Sequence, residues 1–278
     1  MLSKKYPHYI KLCNILNKNQ LEIYKNLTSN SSVYRILDYN TKIDILKVSD
    51  KVVVAKYKKN VIKILFRDAN ITKSELYFTH LLLGSEIYSR TIQEGSMLIL
   101  PYYGKSLRNH KSLSNIEIDN LKQDCAMQIF QFHFDYIVHH DIKPSNIVNL
   151  ESNNESFNYF WKIIDFGISR RHIPGMETGD LPFNIGTQSY NIPNFMFDNN
   201  TIQTEKLFWI YMKDWYGFSK SMLMYGDYES IHLQQCIESM NRQNVVKYLQ
   251  NLINQYNISD IPYYINPKHS SNPDIQDD

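Results

Sequence analysis

One short segment near the middle of the chain constrains the fold more than any other feature of the sequence. It reads His-His-Asp-Ile-Lys-Pro-Ser-Asn-Ile-Val over residues 139–148, and Asp165-Phe166-Gly167 follows 19 residues after Asn146. Apolar pairs flank the two motifs, Ile147-Val148 after the first and Ile163-Ile164 before the second. This order and spacing fit a polar loop between two short strands.

The two motifs together contain the residue types that phosphoryl transfer requires. That reaction needs a carboxylate near the attacking hydroxyl, a cation against the transferring phosphate and oxygen ligands for magnesium. In this pattern Asp141 would orient the hydroxyl and accept its proton, and Lys143 would neutralise the γ-phosphate. Asn146 and Asp165 would hold Mg²⁺, or Mn²⁺ in its place. A polar turn and a chance tripeptide would account for either motif alone, but poorly for both at this distance.

These motifs resemble those of the eukaryotic-type Ser/Thr protein kinase family, and the resemblance covers residues 43 to about 225. It implies an α+β, bilobal protein-kinase-like fold with a β-rich N-lobe and a helical C-lobe, the latter shortened here. It also implies ATP and Mg²⁺ as cofactors, and Ser or Thr hydroxyls of a protein as the phosphate acceptor.

Hydrophobic patterning predicts the elements of both lobes. The predicted strands span 43–48, 52–57, 61–66, 86–93 and 97–100, and the predicted helices span 72–84 and 114–136, with mainly helical structure after residue 200. Ser114 and Glu117 have the spacing of a capping box. The predicted domains are a helical extension and linker at 1–32, the N-lobe at 33–103, the C-lobe at 104–266 and a disordered tail at 267–278.

Further residues of the nucleotide site follow from the resemblance. Lys63, in Val61-Ile62-Lys63, is similar to the strand lysine that grips the α and β phosphates, and Glu75 to the helix glutamate that pairs with it. However, Thr72-x-x-Glu75 also matches a capping box, which leaves the role of Glu75 open.

The segment 97–107 resembles the last N-lobe strand and hinge, with a cadence nearest the casein kinase 1 branch. On that resemblance Leu100 guards the back of the adenine pocket, and the Pro101 carbonyl and Tyr103 backbone groups bind adenine. Val148 is assigned to the same pocket.

Two later segments extend the resemblance into the C-lobe. The segment 186–194 resembles the end of a kinase activation segment, in which Thr187 would bond Asp141 and Lys143, as in Ser/Thr-directed members. The segment 214–218 resembles the start of the buried helix that anchors the catalytic loop.

The chain departs from the family pattern at three places. No glycine precedes Gly84, so the turn near 49–51, which contains Asp50, lacks the glycines that let backbone N–H groups approach phosphates closely. His140 replaces the Arg that binds an activation-segment phosphate in many relatives, and Asn194 stands where a Glu usually closes that segment.

Charge and cysteine usage limit the classes of partner and the cellular compartment expected for this chain. The 30 Lys and Arg against 28 Asp and Glu give a net charge of +2, which provides no overall field for nucleic acid or an anionic membrane. The three cysteines are far apart and form no Cys-x-x-Cys pair. No apolar stretch has the length of a signal peptide or a membrane span. We therefore expect a soluble cytoplasmic protein, in the host cytoplasm if it is viral or exported by a non-standard route.

Two other functions share parts of the pattern. A pseudokinase that binds or scaffolds without turnover would explain the missing glycines, although it gives no reason to retain Lys63, Asp141, Lys143, Asn146 and Asp165 together. A small-molecule phosphotransferase of the aminoglycoside or choline kinase type shares an Asp-x-x-x-x-Asn loop. That class has no role for a lysine at the position of Lys143.

Overall fold

The computed structural model describes residues 44–48, 52–57, 59–66, 69–83, 88–92, 95–150, 160–175, 185–192 and 203–266. The chain divides into two compact units, one ending at Tyr102 and one beginning at Tyr103. The predicted extension at 1–32 and the predicted disordered tail at 267–278 lie outside the described residues.

The described part of the first unit contains a five-stranded antiparallel sheet and a helix, with strand order β1-β2-β3-β5-β4. Its elements are β1 (Asp44–Val48), β2 (Val52–Tyr57), β3 (Asn60–Phe66), α1 (Ala69–Leu83), β4 (Tyr88–Ile92) and β5 (Gly95–Pro101). Each strand lies within two residues of its predicted bounds, because β-branched runs separated by short polar turns mark strands strongly.

The second unit combines small sheets with helices. A three-stranded sheet has the order β6-β8-β9, and β7 pairs with β10. The elements of this unit are β6 (Gly104–Ser106), α2 (Asn115–Phe134), β7 (Ile137–Val138), β8 (Ile147–Leu150), β9 (Trp161–Ile163), β10 (Arg170–Arg171), α3 (Gln203–Met222), α4 (Tyr228–Glu238) and α5 (Arg242–Tyr256). The predicted loop between two short strands is therefore present, since residues 139–146 connect β7 to β8.

The start of α2 follows the predicted capping box. The Ser114 side chain accepts the Glu117 backbone N–H, and the Glu117 carboxylate accepts the Ser114 backbone N–H at 2.8 Å. Helix α2 ends at Phe134, slightly before the predicted end, and Tyr136 has a φ of 60° that an α-helix cannot continue through.

Helix α3 forms the core of the second unit. Every residue from Leu207 to Ser219 is buried, including Trp209 and Trp215. The prediction that this helix starts at Asp214 is wrong, since it begins at Gln203. The stretch from Leu207 to Ser219 is buried on all sides and has no polar face, so it lacks the amphipathic period that would show where the helix begins. None of the described helices, α3 included, is both long and apolar enough to cross a membrane.

Candidate active site

A buried carboxylate of α3 anchors the loop from His139 to Asn146, here called the 139–146 loop. Asp214 Oδ2 accepts the backbone N–H of His139 at 2.7 Å, and Oδ1 accepts that of His140 at 2.9 Å. Burial acts to raise the pKa of Asp214, but the hydrogen bonds from the His133 ring and from the His139 backbone N–H outweigh it and leave the pKa below its ordinary value. The carboxylate therefore stays ionised and fixes the start of the loop.

Asp141 accepts hydrogen bonds at both carboxylate oxygens. Oδ1 accepts the Thr187 hydroxyl at 2.6 Å and the Thr187 backbone N–H at 3.0 Å. Oδ2 accepts Lys143 Nζ at 2.5 Å and Asn146 Nδ2 at 3.2 Å. Lys143 Nζ also donates to the Thr187 hydroxyl oxygen at 2.7 Å. The structure thus brings together Asp141, Lys143 and Thr187, the three residues predicted from sequence to be catalytic.

Gly186 allows Thr187 to approach this close. A Cβ at Gly186 would lie 2.1 Å from the carbonyl oxygen of His140, a distance that no side chain can occupy. Gly186 also has a φ of 100°, which residues with a side chain rarely adopt. The segment before Thr187 therefore lies directly against the backbone of the 139–146 loop.

Asn146 and Asp165 lie at adjoining ends of two paired strands. Ile147 at the start of β8 pairs with Ile163 at the end of β9, and the Ile164 N–H donates to the Asn146 carbonyl at 2.9 Å. Asn146 Nδ2 donates to the Asp141 carbonyl oxygen at 2.9 Å, which orients the amide. Its Oδ1 is thus turned to the other side of the amide, and hard oxygen donors of this kind suit Mg²⁺.

The sequence did not assign a role to His139, which links the two motifs. Its Nδ1 accepts the Asp141 backbone N–H at 3.2 Å, and its Nε2 lies 3.0 Å from the Ile164 carbonyl oxygen. Because Nδ1 is an acceptor, Nε2 carries the proton and donates. The ring also packs edge-on against Phe166 at 4.9 Å between centroids. His139 thereby ties the backbone of Asp141 to the residue before Asp165.

In the first unit, Lys63 and Glu75 form a buried ion pair. Lys63 Nζ lies 2.7 Å from Glu75 Oε2, and their side chains are 9% and 3% exposed. The capping-box interpretation of Thr72 and Glu75 is wrong, because α1 begins at Ala69 and Thr72 lies inside the helix. The local sequence left open whether Glu75 pairs with the strand lysine or caps a helix. The contact between β3 and α1 shows that it pairs with the lysine.

The remaining predicted nucleotide-binding residues are divided between the two units. Leu100 and Pro101 are the last residues of β5. Tyr103 begins the second unit; it is buried, and Lys162 Nζ lies 5.0 Å from its ring centroid. Val148 is buried on β8 and pairs with Lys162.

Comparison with known families agrees with this geometry. A family model described as the protein kinase domain matches residues 22–217, which is more than half of the chain. The chain belongs to the protein kinase family. A comparison with curated proteins found no match. The β-rich first unit and the helical second unit are the N-lobe and the C-lobe of the kinase fold, as predicted from sequence.

This kinase has a pair of buried histidines after β7 and β10. His140 Nε2 lies 2.9 Å from His172 Nε2, and His140 Nδ1 has no hydrogen-bond partner among the described residues. Burial, followed by the nearby charges of Lys213 and Arg170 and by the His172 ring, lowers the pKa of His140 well below its ordinary value. Burial likewise lowers the pKa of His172 to about 4. His140 is therefore neutral.

Two side chains hold the backbone just before Gly186. The Ile185 carbonyl oxygen accepts Lys213 Nζ at 3.0 Å and Asn191 Nδ2 at 2.8 Å. Lys213 is buried, and that burial lowers its pKa to about 8. Adjacent residues of α3 thus anchor two segments, Lys213 the residues before Thr187 and Asp214 the 139–146 loop.

Gly217 lies where α3 packs against the 139–146 loop. A Cβ at this position would lie 2.4 Å from the carbonyl oxygen of Ile142. An Ala usually stabilises a helix by about 1 kcal/mol relative to Gly. Here we expect the opposite sign, since Gly217→Ala must push the loop away and should destabilise the fold by about 1–3 kcal/mol. Chemical denaturation can measure this, and an unchanged or raised midpoint would contradict the contact.

A control for Gly217→Ala is Gln250→Ala, on the exposed surface of α5. That change also places Ala in a helix but meets no backbone, so the denaturation midpoint should not fall.

The predicted Mg²⁺ site has few protein ligands, which is usual where substrate phosphates also bind the ion. Among residues in the described ranges, no group of three or more His, Cys, Asp or Glu side chains is placed to hold a metal ion. Mg²⁺ in phosphoryl-transfer sites is held by one or two side-chain oxygens together with substrate phosphates. Asn146 and Asp165 fit that requirement by donor type and by their position at the paired strand ends.

Proposed function

We propose that this protein is an active kinase that transfers the γ-phosphate of ATP to Ser or Thr hydroxyls of protein substrates. The observation that carries the proposal is the Asp141 carboxylate, in contact with both Lys143 Nζ and the Thr187 hydroxyl. A carboxylate beside a fixed cation is what transfer to a hydroxyl requires, and Thr187 closes the group as expected for Ser/Thr-directed members.

The contacts of Asp141 suggest how it becomes available to a substrate. A carboxylate offers about four lone-pair positions. Four donors face Asp141: the Thr187 N–H and hydroxyl, Lys143 Nζ and Asn146 Nδ2. When ATP binds, Lys143 turns towards the γ-phosphate and leaves Oδ2 with a free position. The substrate hydroxyl donates there, and Asp141 accepts its proton as the new O–P bond forms and the bond from the γ-phosphorus to the bridging oxygen breaks, with ADP as the leaving group.

The resemblance to kinases assigns the groups that bind ATP. Lys63, kept in place by Glu75, binds the α and β phosphates. The Pro101 carbonyl and Tyr103 backbone groups bind adenine, and Leu100 and Val148 line the adenine pocket. Asn146 and Asp165 would hold Mg²⁺, which would neutralise phosphate charge. The cadence of the hinge sequence favours the casein kinase 1 branch.

The Ser/Thr preference rests on the Thr187 contacts. Thr187 and Lys143 bond each other and Asp141, so the backbone following Gly186 lies next to the catalytic carboxylate. A short Ser or Thr side chain needs this close approach, whereas the longer Tyr side chain would carry its hydroxyl past Asp141. The expected partners are ATP and an intracellular protein, with neither nucleic acid nor membrane involved.

A pseudokinase is the second candidate, favoured by the missing glycines before Gly84. Without glycines the backbone cannot approach the phosphates closely, which would weaken ATP binding. The Lys63–Glu75 ion pair and the hydrogen-bonded Asp141 cluster favour an active enzyme. Each holds a charged group in a buried or fixed position, which a scaffold that transfers no phosphate would not need.

One assay separates the candidates. Purified protein is incubated with γ-labelled ATP, magnesium and a mixture of generic protein substrates, and labelled residues are identified after hydrolysis. Label on Ser or Thr supports the proposal, and label on Tyr alone contradicts the Ser/Thr assignment. Binding of ATP without transfer to any substrate, including the kinase itself, indicates the pseudokinase.

We expect the kinase to be active as synthesised, without phosphorylation of its activation segment. A segment phosphate is usually ordered by a bidentate, permanently charged Arg contact, which the neutral and buried His140 cannot provide. The end of the segment is ordered instead by Lys213, Asn191 and Thr187. Thr178, the residue of this segment that we consider as a phosphosite, lies outside the described residues.

Phosphatase treatment tests this expectation. The protein is treated, the phosphatase is removed, and initial rates are compared with a mock-treated sample. The rates should agree within a few-fold. A drop of more than about tenfold, equivalent to roughly 1.4 kcal/mol, would show that segment phosphorylation is required.

A further inference from the structure

A hydrogen-bonded chain runs from the segment after α5 to the 139–146 loop. Tyr264, which follows α5, is buried with its hydroxyl 2.6 Å from His133 Nδ1 on α2 and 3.2 Å from Trp215 Nε1 on α3. His133 Nε2 lies 3.1 Å from Asp214 Oδ2. Asp214 is the carboxylate that holds the loop backbone. We call these four side chains the relay.

The hydrogen bonds of the relay all run in one direction, towards Asp214. Trp215 Nε1 can only donate, so the Tyr264 oxygen accepts from it and the Tyr264 proton is available to His133. The ionised Asp214 needs a donor, which must be His133 Nε2–H. Burial lowers the pKa of His133 despite the neighbouring Asp214, so the ring is neutral and its Nδ1 is a bare acceptor. Tyr264 therefore donates to His133, and His133 donates to Asp214.

The far end of the relay is a backbone position that needs support. Asp214 holds the N–H groups of His139 and His140, and His140 has a φ of 67°, which a residue with a side chain rarely adopts. Asp141 follows directly, so the backbone angle at His140 sets the direction from which the Asp141 carboxylate enters the site. If Asp214 turns, Asp141 turns with it.

We propose that Tyr264 is a positioning residue for phosphoryl transfer, acting through His133 and Asp214 on the backbone that aims Asp141. The C-terminal segment is thereby part of the catalytic apparatus of this kinase. Tyr264 lies beyond residues 22–217, which the protein kinase domain model matches, so the family assignment does not predict this role. The proposal rests on the proposed kinase activity for its rate effect, but its structural part does not.

The packing around Tyr264 makes the hydroxyl separable from the ring. The ring contacts His133, Tyr211 and Phe208 with centroid distances of 5.4, 5.1 and 6.1 Å. Tyr264→Phe keeps these contacts and removes the hydroxyl alone. Tyr263→Phe makes the same chemical change one residue earlier, on a ring that also packs on Tyr211, and its hydroxyl is not a member of the relay. The two variants are therefore matched.

The tautomer of His133 tests the relay in the unmodified protein. Nitrogen-15 NMR of histidine-labelled protein should show one ring that is neutral and protonated at Nε2 between pH 6 and 8, and His133→Asn should remove its signal. A His133 ring protonated at Nδ1, or one that titrates in this range, would overturn the donor order. This measurement needs neither a substrate nor a folded Tyr264 variant.

The matched variants test the effect on the loop and on catalysis. We expect Tyr264→Phe to lower kcat about tenfold, roughly 1.4 kcal/mol, with the KM for ATP within about twofold of the original. The backbone amides of His139 and His140 should exchange with deuterium about tenfold faster, while Tyr263→Phe leaves kcat and exchange at these amides unchanged. Equal kcat and equal exchange in the two variants would overturn the proposal.

These readouts keep the two proposals apart. If the unmodified protein transfers no phosphate to any substrate, the proposed function fails, and the tautomer and amide exchange still decide whether the relay holds the loop. If the unmodified protein is active but Tyr264→Phe behaves like Tyr263→Phe, the kinase assignment stands and the positioning role is wrong.

Discussion

Replacing Asp141 by Asn should reduce the rate of phosphoryl transfer at least about a hundredfold, the usual scale for loss of a general base. The change keeps the size of the side chain but removes the charge and the proton acceptor. It also leaves only one accepting oxygen, whereas both oxygens of Asp141 accept hydrogen bonds in the structure. Thr187 and Lys143 would then compete for that oxygen.

The fold should survive this change. Asp141 is partly exposed at the surface of the C-lobe, with a side-chain exposure of 13%. We expect the free energy of unfolding to fall by about 1 kcal/mol or less, which corresponds to about 2–4 °C in melting temperature for a domain of this size. Asp119→Asn, the same change on the exposed surface of α2, is the control and should affect neither rate nor melting temperature. Normal transfer by Asp141→Asn would end the assignment of the catalytic base.

The cluster around Asp141 was predictable because its determinants are compact in sequence. Asp141, Lys143 and Asn146 lie within one loop, and the loop is bounded by short apolar strands that fix its ends. Thr187 is 46 residues from Asp141, and spacing alone would not have brought them together. Only the resemblance to kinase activation segments indicated that contact.

The ambiguity at Glu75 shows where local patterns fail. A capping box and an ion pair with a neighbouring strand both require a Glu at this position. The choice depends on where α1 begins, and helix ends are the least reliable part of any reading from sequence. In the structure the buried Lys63 ammonium faces the carboxylate, and this tertiary contact settles the choice.

The relay could not be found from sequence at all. His133 and Tyr264 are separated by 131 residues, and neither has a motif around it. The sequences of α2 and α3 gave no sign that one helix would place an imidazole against the carboxylate of the other. Contacts of this kind follow from how helices pack, which the pattern of a single segment does not encode.

The second large effect is expected at Asp165, the proposed carboxylate ligand for magnesium. Asp165→Ala should lower magnesium-dependent transfer by about a thousandfold or more, since metal stabilisation of a transferring phosphate is worth several kcal/mol. Calorimetry should show that ATP binds this variant equally weakly with magnesium and with a chelator. In the unmodified protein, magnesium should strengthen ATP binding and a chelator should abolish transfer.

The backbone at Asp165 calls for a second variant. Asp165 has a φ of 73°, and Asn adopts this left-handed region more readily than Ala does. Asp165→Asn therefore removes the charge with little backbone strain, and it should lose metal-dependent ATP binding almost as fully as Asp165→Ala while melting closer to the unmodified protein. If both variants lost stability but Asp165→Asn kept magnesium-dependent ATP binding, Asp165 would be a structural residue and the metal would lie elsewhere. If both bind ATP weakly and without dependence on magnesium, the loss comes from the missing carboxylate and not from the backbone.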